Sequence, residues 1–223
     1  MTDIEERTRA ILAGIPPHVA VVAAAKTRSP DEIRAALAGG VHDVGENYVQ
    51  EAEAAQEAVG RGAASWHLIG PLQRNKVRRA VALFHLIQTV DSLPLAEKID
   101  EEGRRIDRRV PVLIEVNSGR EPQKAGVFPE NVEGLVREVS RLPFVSIRGL
   151  MTMGPTLADP RALRPFFAET KRRFDEIARR ALPNVEMAIL SMGMSDSYRE
   201  AIEEGATMIR LGTALFGPRK ERR

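Results

Sequence analysis

The chain has 223 residues, of which 43% are hydrophobic, so it can bury a core. Its formal net charge is only +2, which gives no indication of an acidic macromolecular partner. It contains no cysteine, which excludes disulfides, thiolate metal sites and cysteine catalysis. No apolar run approaches about 18 residues and the N-terminus is acidic, so we expect a cytoplasmic protein without a membrane segment or signal peptide.

A short helix is predicted first, within residues 1–14, because Thr2 or Asp3 can cap it and Gly14 with the next prolines ends it. Eight short, mostly apolar runs then predict strands, at residues 19–26, 41–45, 66–69, 85–90, 110–116, 145–151, 187–190 and 208–211. A helix is predicted after each of the first seven strands, at residues 30–37, 47–59, 73–83, 93–106, 129–141, 161–182 and 197–204. This alternation indicates right-handed βαβ crossovers and a parallel sheet.

Eight such units favour a closed (β/α)8 TIM barrel over an open, doubly wound sheet. No low-complexity linker interrupts the pattern, so we expect residues 1–223 to form a single domain. Residues 218–223 form a basic tail, which we interpret as a solubilising terminus rather than a nucleic-acid contact.

In such a barrel, function gathers at the carboxyl ends of the strands. The first strand ends in Lys26, after seven small or branched apolar residues. Lys26 either marks the strand end with its ammonium group reaching water, or is a desolvated amine that can attack a carbonyl. Asn47 follows strand two, where it either caps the next helix or reaches into the barrel mouth. His67 lies within strand three, as a hydrogen-bonded core residue or as a participant in the site.

The loops after strands seven and eight are where barrels commonly hold a phosphate group. Ser191-Met192-Gly193-Met194-Ser195-Asp196 follows strand seven, and Arg210-Leu211-Gly212-Thr213-Ala214-Leu215-Phe216-Gly217 carries strand eight into its loop. Gly193 and Gly212 would let the backbone approach phosphate oxygens, although each loop alone is also explained by turn formation.

A phosphate at strands seven and eight, with a lysine on strand one, describes a pyridoxal phosphate site. The lysine would hold the aldehyde as an imine, and the loops would anchor the other end. Arg210, inside strand eight, would face the ring nitrogen and disfavour its protonation, because a guanidinium only donates hydrogen bonds.

Seven motifs make the chain similar to a known family. They are Ala25-Lys26-Thr27, Gly45-Glu46-Asn47-Tyr48-Val49-Gln50-Glu51, His67-Leu68-Ile69-Gly70-Pro71-Leu72-Gln73-Arg74-Asn75-Lys76, Glu121-Pro122-Gln123-Lys124-Ala125-Gly126, Gly149-Leu150-Met151-Thr152-Met153, and the two loops quoted above. Through them nearly the whole chain resembles the pyridoxal phosphate homeostasis protein family, whose members look like an isolated alanine racemase N-terminal barrel domain.

The resemblance implies a role for nine residues. Lys26 would be the Schiff-base lysine and Arg210 the partner of the ring nitrogen. The phosphate would be held by Ser191, Gly212 and Thr213, lined by Met192 and Gly193, with Asn47 beside the cofactor and His67 behind it. Family members often have serine before the lysine, where this chain has Ala25, so one local hydrogen bond is in doubt.

The resemblance leaves a choice between a carrier and an enzyme. Racemases of this fold need a second base, normally a tyrosine from an additional domain, and neither Tyr48 nor Tyr198 matches that role in a chain that ends at Arg223. We therefore expect a monomeric protein of intracellular pyridoxal phosphate homeostasis, with pyridoxal phosphate-dependent apo-enzymes as candidate recipients and neither nucleic acid nor membrane as a partner.

Two other functions remain open at this point. The chain could be a low-activity pyridoxal phosphate-dependent racemase or related enzyme, or a barrel that acts on a phosphorylated metabolite without a cofactor. Lys76 and Lys124 could be secondary amines for the cofactor or ordinary surface lysines.

Overall fold

The computed structural model describes residues 2–218 and shows a closed barrel of eight parallel strands. Each strand pairs with its neighbour in the sequence, and the eighth pairs back to the first. The strands are β1 (Ala20–Ala24), β2 (Asp43–Glu46), β3 (Ser65–Leu68), β4 (Leu86–Val90), β5 (Val110–Val116), β6 (Val145–Thr152), β7 (Val185–Ser191) and β8 (Met208–Leu211). The predicted (β/α)8 barrel is confirmed.

Helices cover the outside of the barrel, as parallel crossovers require. They are α1 (Asp3–Ala13), α2 (Pro30–Ala38), α3 (Val49–Val59), α4 (Val77–Leu83), α5 (Leu93–Arg105), α6 (Val132–Val139), α7 (Arg164–Ala178), α8 (Tyr198–Glu203) and α9 (Thr213–Phe216). Local sequence determines where α2 begins: Ser29 and Glu32 form a capping box, and Pro30 occupies the first helical turn. None of the helices in the described part of the chain is long and apolar enough to cross a membrane.

The helix α1 is an addition to the repeating pattern and packs beside α2 and α9. Thr8 of α1 is fully buried, and a Cβ atom on Gly39 would approach its Cβ to 2.5 Å, so the two helices meet closely. Arg7 Nη1 donates to the carbonyl oxygen of Leu215 at 3.0 Å. The added helix thus supports the segment that follows β8.

The barrel has two hydrophobic cores, because side chains of a strand alternate between its two faces. The main core lies between the strands and the helices and includes the fully buried Trp66. A smaller cluster fills part of the barrel interior and consists of Val22, Leu86, Leu113, Met151 and Met208. Gln88 lies two residues after Leu86 in β4, and Arg210 lies two residues after Met208 in β8, so both share the inward face. The barrel interior therefore becomes polar towards the carboxyl ends of the strands.

Several element boundaries differ from the sequence predictions. The helix expected at 129–141 is only Val132–Val139, and the one expected at 161–182 is a 3₁₀ turn, Pro160–Leu163, followed by α7, which ends at Ala178. β7 begins two residues earlier than expected, at Val185, and the short α9 had not been predicted. Of the expected basic tail, residues 219–223 lie outside the described residues.

Candidate functional site

A cavity of about 350 Å³ opens at the carboxyl ends of the strands, a size within the usual range of small-molecule sites. Its walls come from strands β1 and β8, from the segments that follow these two strands, and from the loops after β2, β3, β6 and β7. They are formed by Ala24, Lys26, Arg28, Asn47, Ile69, Met153, Met194, Ser195, Asp196, Arg210, Gly212 and Thr213. Five of the nine residues named from the sequence therefore line one cavity: Lys26, Asn47, Arg210, Gly212 and Thr213.

Lys26 lies in a turn immediately after β1 and is half-buried at the cavity wall. Its Nζ lies 5.5 Å from the centroid of the Tyr48 ring, a distance at which a cation and an aromatic face attract. The next residue, Thr27, has φ of 66°, which is uncommon for a β-branched residue. Arg28 holds the end of this turn, since its Nη2 donates to the carbonyl oxygen of Gly217 at 2.6 Å. The lysine is thus on a fixed, locally strained turn rather than in a buried apolar pocket.

Arg210 is 3% exposed and lies inside the barrel with its guanidinium group at the cavity. Its Nη1 donates to Ser191 Oγ at 2.6 Å and its Nη2 to the carbonyl oxygen of Thr152 at 2.9 Å. Burial lowers the pKa of Arg210 to about 10, against the opposing effect of the Glu115 carboxylate. The group therefore stays charged at neutral pH and can only donate hydrogen bonds.

Behind Arg210, a chain of buried hydrogen bonds crosses the barrel interior. Ser191 Oγ accepts from Arg210 and donates to Gln88 Oε1 at 2.7 Å, and Gln88 Nε2 donates to His67 Nδ1 at 3.0 Å. His67 Nε2 lies 3.3 Å from Asp43 Oδ1 and 3.2 Å from Ser65 Oγ. Because Nδ1 accepts, the neutral imidazole carries its proton on Nε2. The directions of these bonds thus form one consistent network.

The structure places Ser191 in the barrel interior rather than at the cavity, and it places His67 in a hydrogen-bonded interior position, one of the two alternatives that the sequence left open. Ser191 is fully buried and His67 is 4% exposed, and neither lines the cavity. Both point into the barrel interior, where they support Arg210 from behind. Ser191 contacts Arg210 directly and His67 acts through Gln88, so both are placed to orient the Arg210 guanidinium group.

Met192 and Gly193 also lie outside the set of residues that line the cavity. Met192 is fully buried in the main core between the barrel and the helices. Gly193 has φ of +91°, and a Cβ atom there would approach Ala201 Cβ to 2.6 Å, so the close approach of α8 requires glycine at this position.

Ser195 is a cavity residue that the sequence reasoning did not select. Its Oγ accepts hydrogen bonds from the backbone N–H groups of Gly212 and Ala214, each at 3.1 Å. A hydroxyl and two converging amides therefore meet where the loops after β7 and β8 come together, with Thr213 beside them. The signal was present, since Ser195 is the second serine of the Ser191–Asp196 loop, but the sequence does not show which serine faces the cavity.

Asn47 reaches the cavity rather than capping α3, whose N-cap residue is Tyr48. Its position depends on Gly70: a Cβ atom on that residue would come within 2.5 Å of the Asn47 carbonyl oxygen and 2.7 Å of its Cα. The glycine after β3 thus allows the segment after β2 to lie at the barrel mouth.

The two other lysines considered from the sequence lie elsewhere. Lys76 ends a 3₁₀ turn before α4 and does not line the cavity. Lys124 contacts Glu121 Oε2 at 2.6 Å and Thr156 Oγ1 at 3.2 Å, in a loop beside a neighbouring cavity.

Comparison with known proteins identifies the family. Residues 2–220 match the family model described as "Alanine racemase, N-terminal domain". The pyridoxal phosphate homeostasis protein of Aquifex aeolicus is 42% identical over 200 residues, which cover 90% of this chain and 87% of that protein. The protein of the same name from Pseudomonas aeruginosa is 37% identical over 204 residues, covering 92% and 86% of the two chains.

Solved structures agree with this assignment. PipY of Synechococcus elongatus, solved without pyridoxal phosphate, superposes with a TM-score of 0.90 at 38% identity over 96% of this chain and 100% of its own. The same protein with pyridoxal phosphate bound gives a TM-score of 0.88 with the same identity and coverage. Alanine racemase of Clostridium difficile, at 15% identity and a TM-score of 0.78 over 98% of this chain and 57% of that one, shares the fold. The chain therefore belongs to the pyridoxal phosphate homeostasis protein family, built on the barrel of the alanine racemase N-terminal domain.

Proposed function

We propose that this protein binds pyridoxal 5'-phosphate at the cavity described above, holds it as a Schiff base on Lys26, and acts in intracellular pyridoxal phosphate homeostasis. The observation that carries the proposal is that one cavity collects a primary amine, a guanidinium group and a cluster of hydroxyls and backbone amides. The structure of PipY with pyridoxal phosphate bound, at 38% identity over nearly the whole chain, supports the assignment.

The donor set of the cavity fits the three ends of this cofactor. The amine of Lys26 would take the aldehyde, and Arg210 would face the ring nitrogen. The phosphate would be held by the hydroxyls of Ser195 and Thr213 and by the N–H groups of Gly212 and Ala214, which now converge on Ser195. We assign Ser191 and His67, through Gln88, to orienting Arg210.

The charge of Arg210 favours a carrier over an efficient enzyme. When bound, the cofactor supplies a reactive aldehyde and an electron-withdrawing ring. A protonated ring nitrogen is the stronger electron sink, and a permanently charged donor at that position opposes protonation. We therefore infer that the protein sequesters the cofactor and has at most weak racemase-like activity.

The absorption spectrum tests the cofactor and its lysine together. Wild-type protein, Lys26→Ala and the control Lys76→Ala are each mixed with pyridoxal phosphate and desalted. We expect a visible imine band in the wild type and in Lys76→Ala, its loss in Lys26→Ala, and a borohydride-stable adduct on the peptide that contains Lys26. A band in none of the three would refute cofactor binding, whereas a band in all three would move the linkage to another lysine, with Lys124 tested next.

Activity and delivery need separate assays. Incubation of the loaded protein with a panel of amino acids, followed by chiral chromatography, should show no turnover beyond that of free cofactor; robust turnover would favour the enzyme. Reactivation of an apo-enzyme faster than by free cofactor would identify a recipient.

We further propose that the protein is a single-domain monomer in the cytoplasm. Light scattering coupled to gel filtration would test its oligomeric state, and cell fractionation would test its location.

A further inference from the structure

A second cavity of about 420 Å³ adjoins the first. The two share Met153, Met194 and Asp196 as common walls. The second cavity extends from the end of β5 to the loops that follow β5 and β6. The function proposed above does not use this second cavity.

One buried carboxylate of this cavity accepts no hydrogen bond from the described residues. Glu115, near the end of β5, is 8% exposed and lines the cavity. It lies two residues beyond the interior residue Leu113, so its side chain belongs to the same inward face of the barrel. Within residues 2–218, its carboxylate takes part in no hydrogen bond and no ion pair. Arg210 attracts this carboxylate without forming an ion pair with it. A buried carboxylate that accepts no hydrogen bond from the protein is unfavourable, so a ligand that donates a hydrogen bond would stabilise it.

The other polar groups of the cavity are already engaged. Lys124 is held by Glu121 and Thr156, and Asn117 Nδ2 donates to the carbonyl oxygens of Glu121 and Lys124 at 2.8 and 3.2 Å. Ser197 Oγ accepts from the Met194 N–H at 3.2 Å. Asp196, which also lines the cavity and makes no hydrogen bond within residues 2–218, is exposed to solvent. Glu115 is therefore the buried polar group of this cavity with capacity left for a ligand.

The remaining walls are mostly apolar. They include Val116, Pro155, Leu157, Pro160 and Leu163, together with the two shared methionines. A ligand that fits has one positively charged donor for Glu115 and an apolar body for these side chains. A bare metal ion fits poorly, because no group of three metal-ligating side chains occurs in the described part of the chain.

We propose that this cavity binds the ammonium group of a primary amine with an apolar body, such as an alkylamine, with Glu115 as its counter-ion. This amine site is inferred from the second cavity and does not depend on pyridoxal phosphate binding. Its biological role does rest on the proposed function, since a bound amine would lie beside the cavity that takes an aldehyde.

The charges around Glu115 give the site a pH dependence. Burial and the nearby Asp91 raise the pKa of Glu115 to about 7, and Arg210 acts in the opposite direction. Asp196 and Lys124 also line the cavity, the latter paired with Glu121. Since the carboxylate is the binding form, amine affinity should rise between pH 6 and pH 8.

Calorimetry on the full-length, cofactor-free protein tests the proposal without involving Lys26 chemistry. The probe is n-butylammonium, with 1-butanol and butyrate as matched neutral and anionic compounds. We expect butylammonium to bind at least tenfold more tightly than either, and more tightly at pH 8 than at pH 6. Glu115→Gln should remove the preference for the cation and its pH dependence, whereas Glu97→Gln, an exposed carboxylate on α5, should change neither.

A second variant guards against indirect effects of Glu115→Gln on folding. Ala125 is exposed on the loop and lines the cavity, so Ala125→Phe should fill the cavity and reduce butylammonium binding at least tenfold. Equal affinity for 1-butanol, no binding to the wild type, or unchanged binding in either variant would overturn the proposal. Pyridoxal phosphate retention, measured separately on the same variants, distinguishes that failure from a failure of the proposed function.

Discussion

Gln88 is the centre of the buried network that supports Arg210, and replacing it should destabilise the protein severely. Gln88→Met keeps the length of the side chain but removes both polar atoms. Ser191 Oγ then loses its acceptor and His67 Nδ1 its donor. The Ser191 hydroxyl still accepts from Arg210, but its O–H donor and the Nδ1 acceptor of His67 are left unpaired. Each unpaired buried donor or acceptor costs about 1–3 kcal/mol, so we expect a loss of roughly 2–6 kcal/mol.

A matched control is available in Gln56, which is also buried and donates a single hydrogen bond, from Nε2 to the carbonyl oxygen of Leu83 at 3.1 Å. Gln56→Met leaves one group without a partner instead of two, so it should cost about 1–3 kcal/mol. The double variant Gln88→Met/Ser191→Ala should lose less than the sum of its single changes, by about 0.5–3 kcal/mol, because the two side chains share a bond.

Urea unfolding followed by tryptophan fluorescence measures these losses. Trp66 is the one tryptophan of the chain, is fully buried and precedes His67, so its emission reports on this region. The free energy of unfolding follows from linear extrapolation to water. A loss for Gln88→Met no larger than that for Gln56→Met would refute the network, as would strict additivity in the double variant.

Three further predictions follow from the geometry. Long-range ¹H–¹⁵N spectra should show neutral His67 protonated on Nε2, and an Nδ1–H signal would contradict the bond directions. Burial and the charge of Glu51 raise the pKa of Glu46 from 4.5 to about 8. The folded protein therefore holds an extra proton between pH 4.5 and 8, and the free energy of unfolding falls by a few kcal/mol as pH rises through that window. Glu46→Gln should remove this dependence and raise stability at pH 8, and an unchanged slope in urea titrations would refute it. Gly70→Ala should displace Asn47, cost about 1–3 kcal/mol and weaken pyridoxal phosphate retention, whereas normal retention would show that Asn47 is not needed.

The sequence determined the type and order of the main elements. Continuous apolar runs separated by capped helical segments depend on local side chains, so the eight strands and the closed barrel were predictable. The ends of α6 and α7 were not, because the loops before and after them take their conformation from tertiary contacts. An example is Asn184, whose side-chain amide donates to the carbonyl oxygens of Ser140 and Leu142, more than forty residues earlier in the chain.

The residues at the strand ends were predictable in the same way. Lys26 and Arg210 are unusual residues in or at the end of apolar strands, which marked them as candidates, although the position of Lys26 alone left its role open. Gly212 and Thr213 were placed by the general geometry of barrels, and the structure brings all four to one cavity.

What only the tertiary structure decided is which polar side chains face the cavity and which stand behind it. Ser191 and Ser195 are four residues apart, but Ser191 ends β7 and accepts a hydrogen bond from Arg210 inside the barrel, whereas Ser195 lies in the following loop and accepts from the amides of Gly212 and Ala214. Gln88 was not recognised at all, because its partner Ser191 is 103 residues away. Such contacts depend on the closure and register of the whole barrel, and a local pattern of residues does not contain that information.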